Sequence, residues 1–158
     1  MPEMPPLGPR DVALILTLLI AVITDLRSQK IYNVLTFPMT VLGMLSAIPL
    51  GIHPWDGLAG AAAALLLTLP IEALRVMRMG DVKLLMAVGA LTAPGIAVRA
   101  VLLSIAANLL YGVAVLAWRG RLGRLLRFYR ERDLEPTVVA YAPAIAVATL
   151  LARLQPWP

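Results

Sequence analysis

The chain has 158 residues, 60% of them hydrophobic and only 15% charged, with a mean hydropathy of +0.84. Soluble domains carry about 25% charged residues, so the composition points to a single integral membrane domain spanning residues 1–158. Cysteine is absent, which excludes disulfides, thiolate metal sites and a cysteine nucleophile.

Residues 1–9 contain Pro2, Pro5, Pro6 and Pro9 and read as an irregular lead-in. The first apolar run, Val12 to Thr24, resembles a signal-peptide core. No small-x-small cleavage site follows it, so it is expected to be a retained span. Arg27 to Asn33 is a polar loop, and Val34 to Ile52 is a second span of about the length a bilayer needs. Pro38 is expected in its first turn, where a missing N–H costs little. His53 to Gly57 reads as a turn, with Trp55 suited to the membrane interface. One histidine cannot build a metal site, and no metal or cofactor is expected.

Leu58 to Leu74 is the third span, with Gly60 and Ala64 at a small-xxx-small spacing that permits close helix approach. Arg75 to Lys83 is a second charged loop. Leu84 to Ala93 is apolar but short, and Pro94-Gly95 separates it from Ile96 to Trp118. Arg99 can snorkel to an interface, and Asn108 predicts a buried interhelical hydrogen bond. Residues 119–135 carry Arg119, Arg121, Arg124, Arg127, Arg130 and Arg132 beside a stripe of Leu122, Leu125, Leu126 and Tyr129. That pattern predicts an amphipathic helix whose Arg121, Arg124, Arg127 and Arg130 meet an anionic leaflet. Thr137 to Leu154 is the last span.

The expected fold is therefore all-α, an integral membrane bundle of about six transmembrane helices. All but three of the 14 Lys and Arg lie in the loops after the first, third and fifth spans; the exceptions are Arg10, Arg99 and Arg153. The positive-inside rule puts those loops in the cytoplasm. A net charge of +5 distributed in this way reflects topology, and no nucleic-acid partner is expected.

The same rule places Asp25 and Asp81 on one membrane face. Charges at the edge of a span are costly and commonly functional. Two carboxylates at one site can share a proton, one activating water while the other protonates the carbonyl oxygen or leaving amine. Gly80, lacking a Cβ, lets a neighbouring backbone come close. Lys83, two residues from Asp81, would not share its helix face and is expected to reach headgroups. The alternative is that both acids are ordinary juxtamembrane charges paired with Arg27 and Lys83.

These residues resemble a known family. Asp25-Leu26-Arg27-Ser28-Gln29-Lys30-Ile31-Tyr32-Asn33 resembles the first motif of type IV prepilin peptidases, an Asp-Leu-Arg start leading to Ile-Pro-Asn. Met79-Gly80-Asp81-Val82-Lys83 resembles their Gly-x-Gly-Asp motif followed by x-Lys. Tyr141-Ala142-Pro143-Ala144-Ile145-Ala146 looks like the family's final-helix segment. The resemblance implies a membrane aspartyl protease with Asp25 and Asp81 as the catalytic pair, supported by Gly80, Lys83, Arg27 and Asn33.

It further implies substrates that are prepilin-like precursors, cut at the cytoplasmic face of the inner membrane after a short basic leader. Without the cysteine-bearing cytoplasmic region of longer members, the chain is similar to the short, peptidase-only form of tight-adherence pilus systems, and no methyltransferase activity is expected. There are two departures: Arg78 stands where the family has its first glycine, and Tyr32 where it has proline. A merely narrowing Arg78 predicts that Arg78→Gly keeps or raises cleavage. The competing readings are a non-catalytic assembly subunit, favoured by Arg78, and a small transporter using the two acids as a proton relay.

Overall fold

The computed structural model describes residues 8–46, 54–73, 77–118 and 141–154. They form six helices: α1 Pro9–Ser28, α2 Asn33–Leu45, α3 Pro54–Ala73, α4 Met79–Leu91, α5 Pro94–Trp118 and α6 Ala142–Leu154. The expected all-α class holds among the described residues. Two stretches, Trp55–Ala73 in α3 and Pro94–Tyr111 in α5, are long and apolar enough to cross a membrane, while α2 and α6 are shorter apolar helices. The segment 119–135, His53 and Arg75 lie outside the described residues.

Helix directions follow from contacts at the two ends of the bundle. Asp11, at the start of α1, forms an ion pair with Arg153 at the end of α6. At the other end of α1, Asp25 accepts a hydrogen bond from the first residue of α6, Ala142. These two helices are therefore antiparallel. Lys83 of α4 meets Asn33 of α2 near both N-termini, and Gly43 lies against Ala90 near both C-termini, so α2 and α4 run parallel. Arg10 near the start of α1 meets Gly43 and Ser46 at the end of α2, and Gly60 near the start of α3 meets Gly89 near the end of α4, so each of these pairs is antiparallel.

The centre is α4, which packs against every other helix. Its Val82, Leu84, Leu85, Ala87, Val88, Gly89, Ala90 and Leu91 are all buried. A helix apolar on every side belongs inside a bundle rather than on its surface. The outer helices do the reverse. Leu16 and Ile23 of α1, Phe37 and Val41 of α2, Leu66 of α3, Leu109 of α5 and Leu151 of α6 are exposed. Every outer helix thus turns large apolar side chains outward, the kind of surface that marks a membrane or partner contact.

Small residues allow α4 its position. A Cβ added at Gly60 of α3 would overlap the carbonyl oxygen of Gly89, and one at Gly89 would overlap that of Gly60. Ala64, one turn further along α3, is fully buried, so the predicted small-residue seam is the α3–α4 contact. The seam continues into α2, where a Cβ on Gly43 would stand 2.6 Å from the carbonyl carbon of Ala90.

Arg10 ties the far end together. It is 9% exposed, and its guanidinium donates to Ser46 Oγ at 2.9 Å, to the Ala90 carbonyl at 3.5 Å and to the Gly43 carbonyl. Two of these acceptors are carbonyls near helix C-termini, where the macrodipole favours a cation.

Several local expectations are corrected. Helix α2 begins at Asn33, so Pro38 is past the first turn and inside the helix. Residues 54–57 are the first turn of α3, not a loop; Trp55 there is 70% exposed. Met79 to Lys83 belong to α4 rather than to a charged loop. Asn108 donates to the Ser104 carbonyl, one turn back in its own helix, at 2.8 Å. That in-helix bond is the one Asn108 makes among the described residues, where an interhelical one was expected.

Candidate active site

The two aspartates reach one end of the bundle by different local routes. Asp25 sits in the last turn of α1. The helix stops after Ser28, where Gln29 adopts a left-handed conformation (φ 51°, ψ 33°) and returns its N–H to the Asp25 carbonyl. A C-terminal residue in that region commonly ends a helix. Asp81 is the third residue of α4, and its Oδ2 accepts the N–H of the preceding cap residue, Arg78, at 3.2 Å. An acid at this position satisfies an orphan N–H and complements the positive end of the helix.

Both side chains are buried, Asp25 to 3% exposure and Asp81 to 2%. Asp25 Oδ2 accepts the Ala142 N–H at 2.9 Å across 117 residues of chain, so the N-terminus of α6 closes over the first carboxylate. Asp25 lies within electrostatic reach of Asp81. Tyr141, the residue just before α6, also lies within electrostatic reach of Asp81. Among the described residues neither aspartate forms an ion pair with Arg27 or Lys83, so the reading as ordinary paired surface charges does not describe them.

Asp81 precedes the apolar run 84–93, at the edge of the apolar layer. Burial is the main cause that pushes its carboxyl up, to about 7; the charge of Asp25 adds to the rise, while the Arg78 N–H and the Arg78 charge oppose it. Removing a carboxylate from water disfavours its charged form, and a like charge nearby does the same.

The supporting residues join the two motifs. Lys83 Nζ donates to Asn33 Oδ1 at 3.0 Å and lies 5.7 Å from the centre of the Phe37 ring. Lys83, expected to reach toward headgroups, also holds the start of α2 through this bond. A Cβ on Gly80 would stand 3.4 Å from Ile31 Cβ, an ordinary contact distance, so the two motifs lie side by side but this position does not demand a glycine for space. Arg78 Nη1 donates to the Gln29 carbonyl at 2.9 Å. Arg27 is exposed and bonds neither carboxylate.

Beside the site, Ile20, Thr24, Tyr32, Val34 and Leu35 line an almost wholly apolar hollow of about 330 Å³. Tyr32, one of the two departures, therefore forms part of its wall. No group of three His, Cys, Asp or Glu that could hold a metal occurs among the described residues. Sequence reasoning assigned no task to Tyr141 or Ala142. A backbone N–H has no residue signature, and only the chain's folding back brings it to Asp25.

A helical bundle with two buried carboxyl groups at one end holds groups of the kind that general acid–base chemistry uses. A family model for the type IV leader peptidase family matches residues 12–113. That match covers more than half of the chain and both aspartates, and the chain belongs to the type IV leader peptidase family. No curated protein and no solved structure matches it. Helix α6, with the Ala142 N–H, lies beyond the matched stretch.

Proposed function

We propose that the chain is a membrane-embedded aspartyl endopeptidase that removes the basic leader of prepilin-like precursors at the cytoplasmic face of the inner membrane. One observation carries this reading: two buried aspartates at the same end of the bundle, in the last turn of α1 and the first turn of α4, joined through the Arg78–Gln29 hydrogen bond. Family membership supports the leader-peptidase part. The exposed apolar residues of the outer helices support the membrane part. The six-span topology and the docking of residues 119–135 on anionic lipid belong to the same proposal.

In this mechanism the pair shares one proton, which we assign to Asp81, whose carboxyl burial pushes up. Asp25 takes a proton from water, whose oxygen adds to the scissile carbonyl carbon. Asp81 gives its proton to the carbonyl oxygen. The resulting gem-diol collapses: Asp25 delivers its proton to the leaving nitrogen as the C–N bond breaks, and a diol hydroxyl returns a proton to Asp81. The chain's own groups balance every proton.

The pH dependence has a definite sign. The folded protein holds a proton on Asp81 up to about 7, whereas an unfolded chain releases it near 3.9. Stability from this group is therefore full below the unfolded value and declines as pH rises from there to about 7. Cleavage requires the same proton, so kcat/KM is expected to fall as pH rises through about 7. A rate profile that climbs steadily through that range would exclude Asp81 as the proton donor.

The defining experiment is co-expression with type IV pilin-like precursors, with leader removal read by mobility and N-terminal sequencing. The expected result is a new N-terminus directly before the precursor's hydrophobic segment. Intact leaders on every precursor tried would favour the non-catalytic assembly subunit.

A further inference from the structure

Arg78 is exposed, yet it makes two separate connections at the site. Its backbone N–H holds Asp81 Oδ2 at 3.2 Å. Any residue except proline could do that. Its side chain donates from Nη1 to the Gln29 carbonyl at 2.9 Å, which a glycine cannot do. Gln29 in turn donates its N–H to the carbonyl of Asp25 at 2.8 Å. A continuous hydrogen-bonded path therefore runs from the cap of α4, which carries one carboxylate, to the last turn of α1, which carries the other.

The geometry of Gln29 fits this path. Its left-handed backbone is the one positive-φ conformation at a non-glycine residue among the described residues. The same turn that ends α1 presents its carbonyl to Arg78. A cation there also meets the negative end of the α1 dipole. Few polar bonds cross between the two motifs: Arg78 to Gln29 and Lys83 to Asn33 are the two among the described residues. The second reaches the start of α2, so at this end of the bundle the first is the polar tie between α1 and α4 among the described residues, while Arg10 joins the same two helices at the far end through the Ala90 carbonyl.

We infer that Arg78 is a positioning residue, a side-chain clasp between the end of α1 and the start of α4 that fixes Asp25 and Asp81 relative to each other. The inference rests on the peptidase reading above for its kinetic consequence but not for its structural one. It reverses the expectation that Arg78 merely narrows the site. Misplacing a catalytic group by about an ångström can cost up to about 100-fold in rate, so loss of one exposed clasp is expected to cost about tenfold.

The absence of cysteine makes the test clean. Ser28→Cys and Met79→Cys place spin labels at two exposed positions on either side of the clasp, in the full chain in lipid nanodiscs. With Arg78 present the label distance should be narrowly distributed. Arg78→Gly should broaden it and lower kcat on a cleaved precursor by about tenfold, with KM within about twofold. Arg78→Lys, which keeps a charged donor, should recover most of both. Helical content by circular dichroism separates a lost clasp from a lost fold, and Arg78→Gln, which keeps a donor on a shorter stem, serves if the glycine variant unfolds. A distance distribution as narrow in Arg78→Gly as in wild type overturns the clasp. So does an unchanged kcat. A wild type inert on all precursors overturns the peptidase reading instead, and the label distances still decide the clasp.

Discussion

Asp25→Asn and Asp81→Asn are each expected to lose cleavage by about 10²–10⁴-fold, the range of a single general acid or base. The substitution keeps the shape and removes only the proton chemistry. An asparagine carbonyl can still accept the Ala142 N–H at position 25 and the Arg78 N–H at position 81, so both backbone anchors survive. Asp81→Asn also removes a carboxyl that burial penalises in its charged form, so the variant should be at least as stable as wild type at neutral pH. The double variant should be little slower than either single one, because groups acting as a unit are not additive. Asp56→Asn changes an acid that interacts with Arg10 at the far end and should retain activity. Wild-type cleavage by either single variant would remove the aspartyl mechanism.

The second large effect lies in the fold. Gly60→Ala places a methyl where the carbonyl of Gly89 already stands, and backbone cannot swing aside as a side chain can. Overpacking of this kind costs about 1–3 kcal/mol, and the rigid obstacle puts Gly60→Ala at the upper end. At about 2–4 °C per kcal/mol for a chain of this length, melting of the full chain in detergent should drop by about 5–10 °C. Gly95→Ala is the contrast. A Cβ there meets nothing within 4 Å, and replacing a helical glycine by alanine stabilises by about 0.4–1 kcal/mol. Equal melting of the two variants would mean that α3 and α4 do not meet through Gly60 and Gly89.

The site was legible in the sequence as far as its residue types go. Asp25 and Asp81 stood out because charge is scarce in so apolar a chain, and Gly60 because small residues recur at a helical spacing. Patterns of that kind are local. What escaped was set by contacts between distant segments. Arg10 read as one of three cations on the sparsely charged side, but its burial comes from carbonyls on α2 and α4. Lys83 read as a membrane-edge cation because nothing in the sequence places Asn33 and Phe37 within its reach. Asn108 read as an interhelical donor, though a carbonyl one turn back was equally available. Helix ends were misplaced where polar residues continue a helix: Asp81 and Lys83 suggested a loop, yet Asp81 is an ordinary first-turn acid that anchors α4.

The two charged ends of the bundle carry a further consequence under the membrane reading. Asp11, paired with Arg153, marks one end, and Asp25 marks the other. Along α1 the rise between them is about 21 Å at 1.5 Å per residue, whereas the hydrocarbon layer of a bilayer is about 30 Å thick. The lipid around the protein must therefore pinch inward, or the carboxylates sit in a recess below the headgroups. Either way a mismatch of about a third of the layer is built into the length of one helix. A precursor whose apolar segment enters from the surrounding bilayer would meet Asp25 and Asp81 at a depth where its own first apolar turn still lies in lipid, and bilayer thickness becomes a variable that sets how readily a substrate can present its cleavage site.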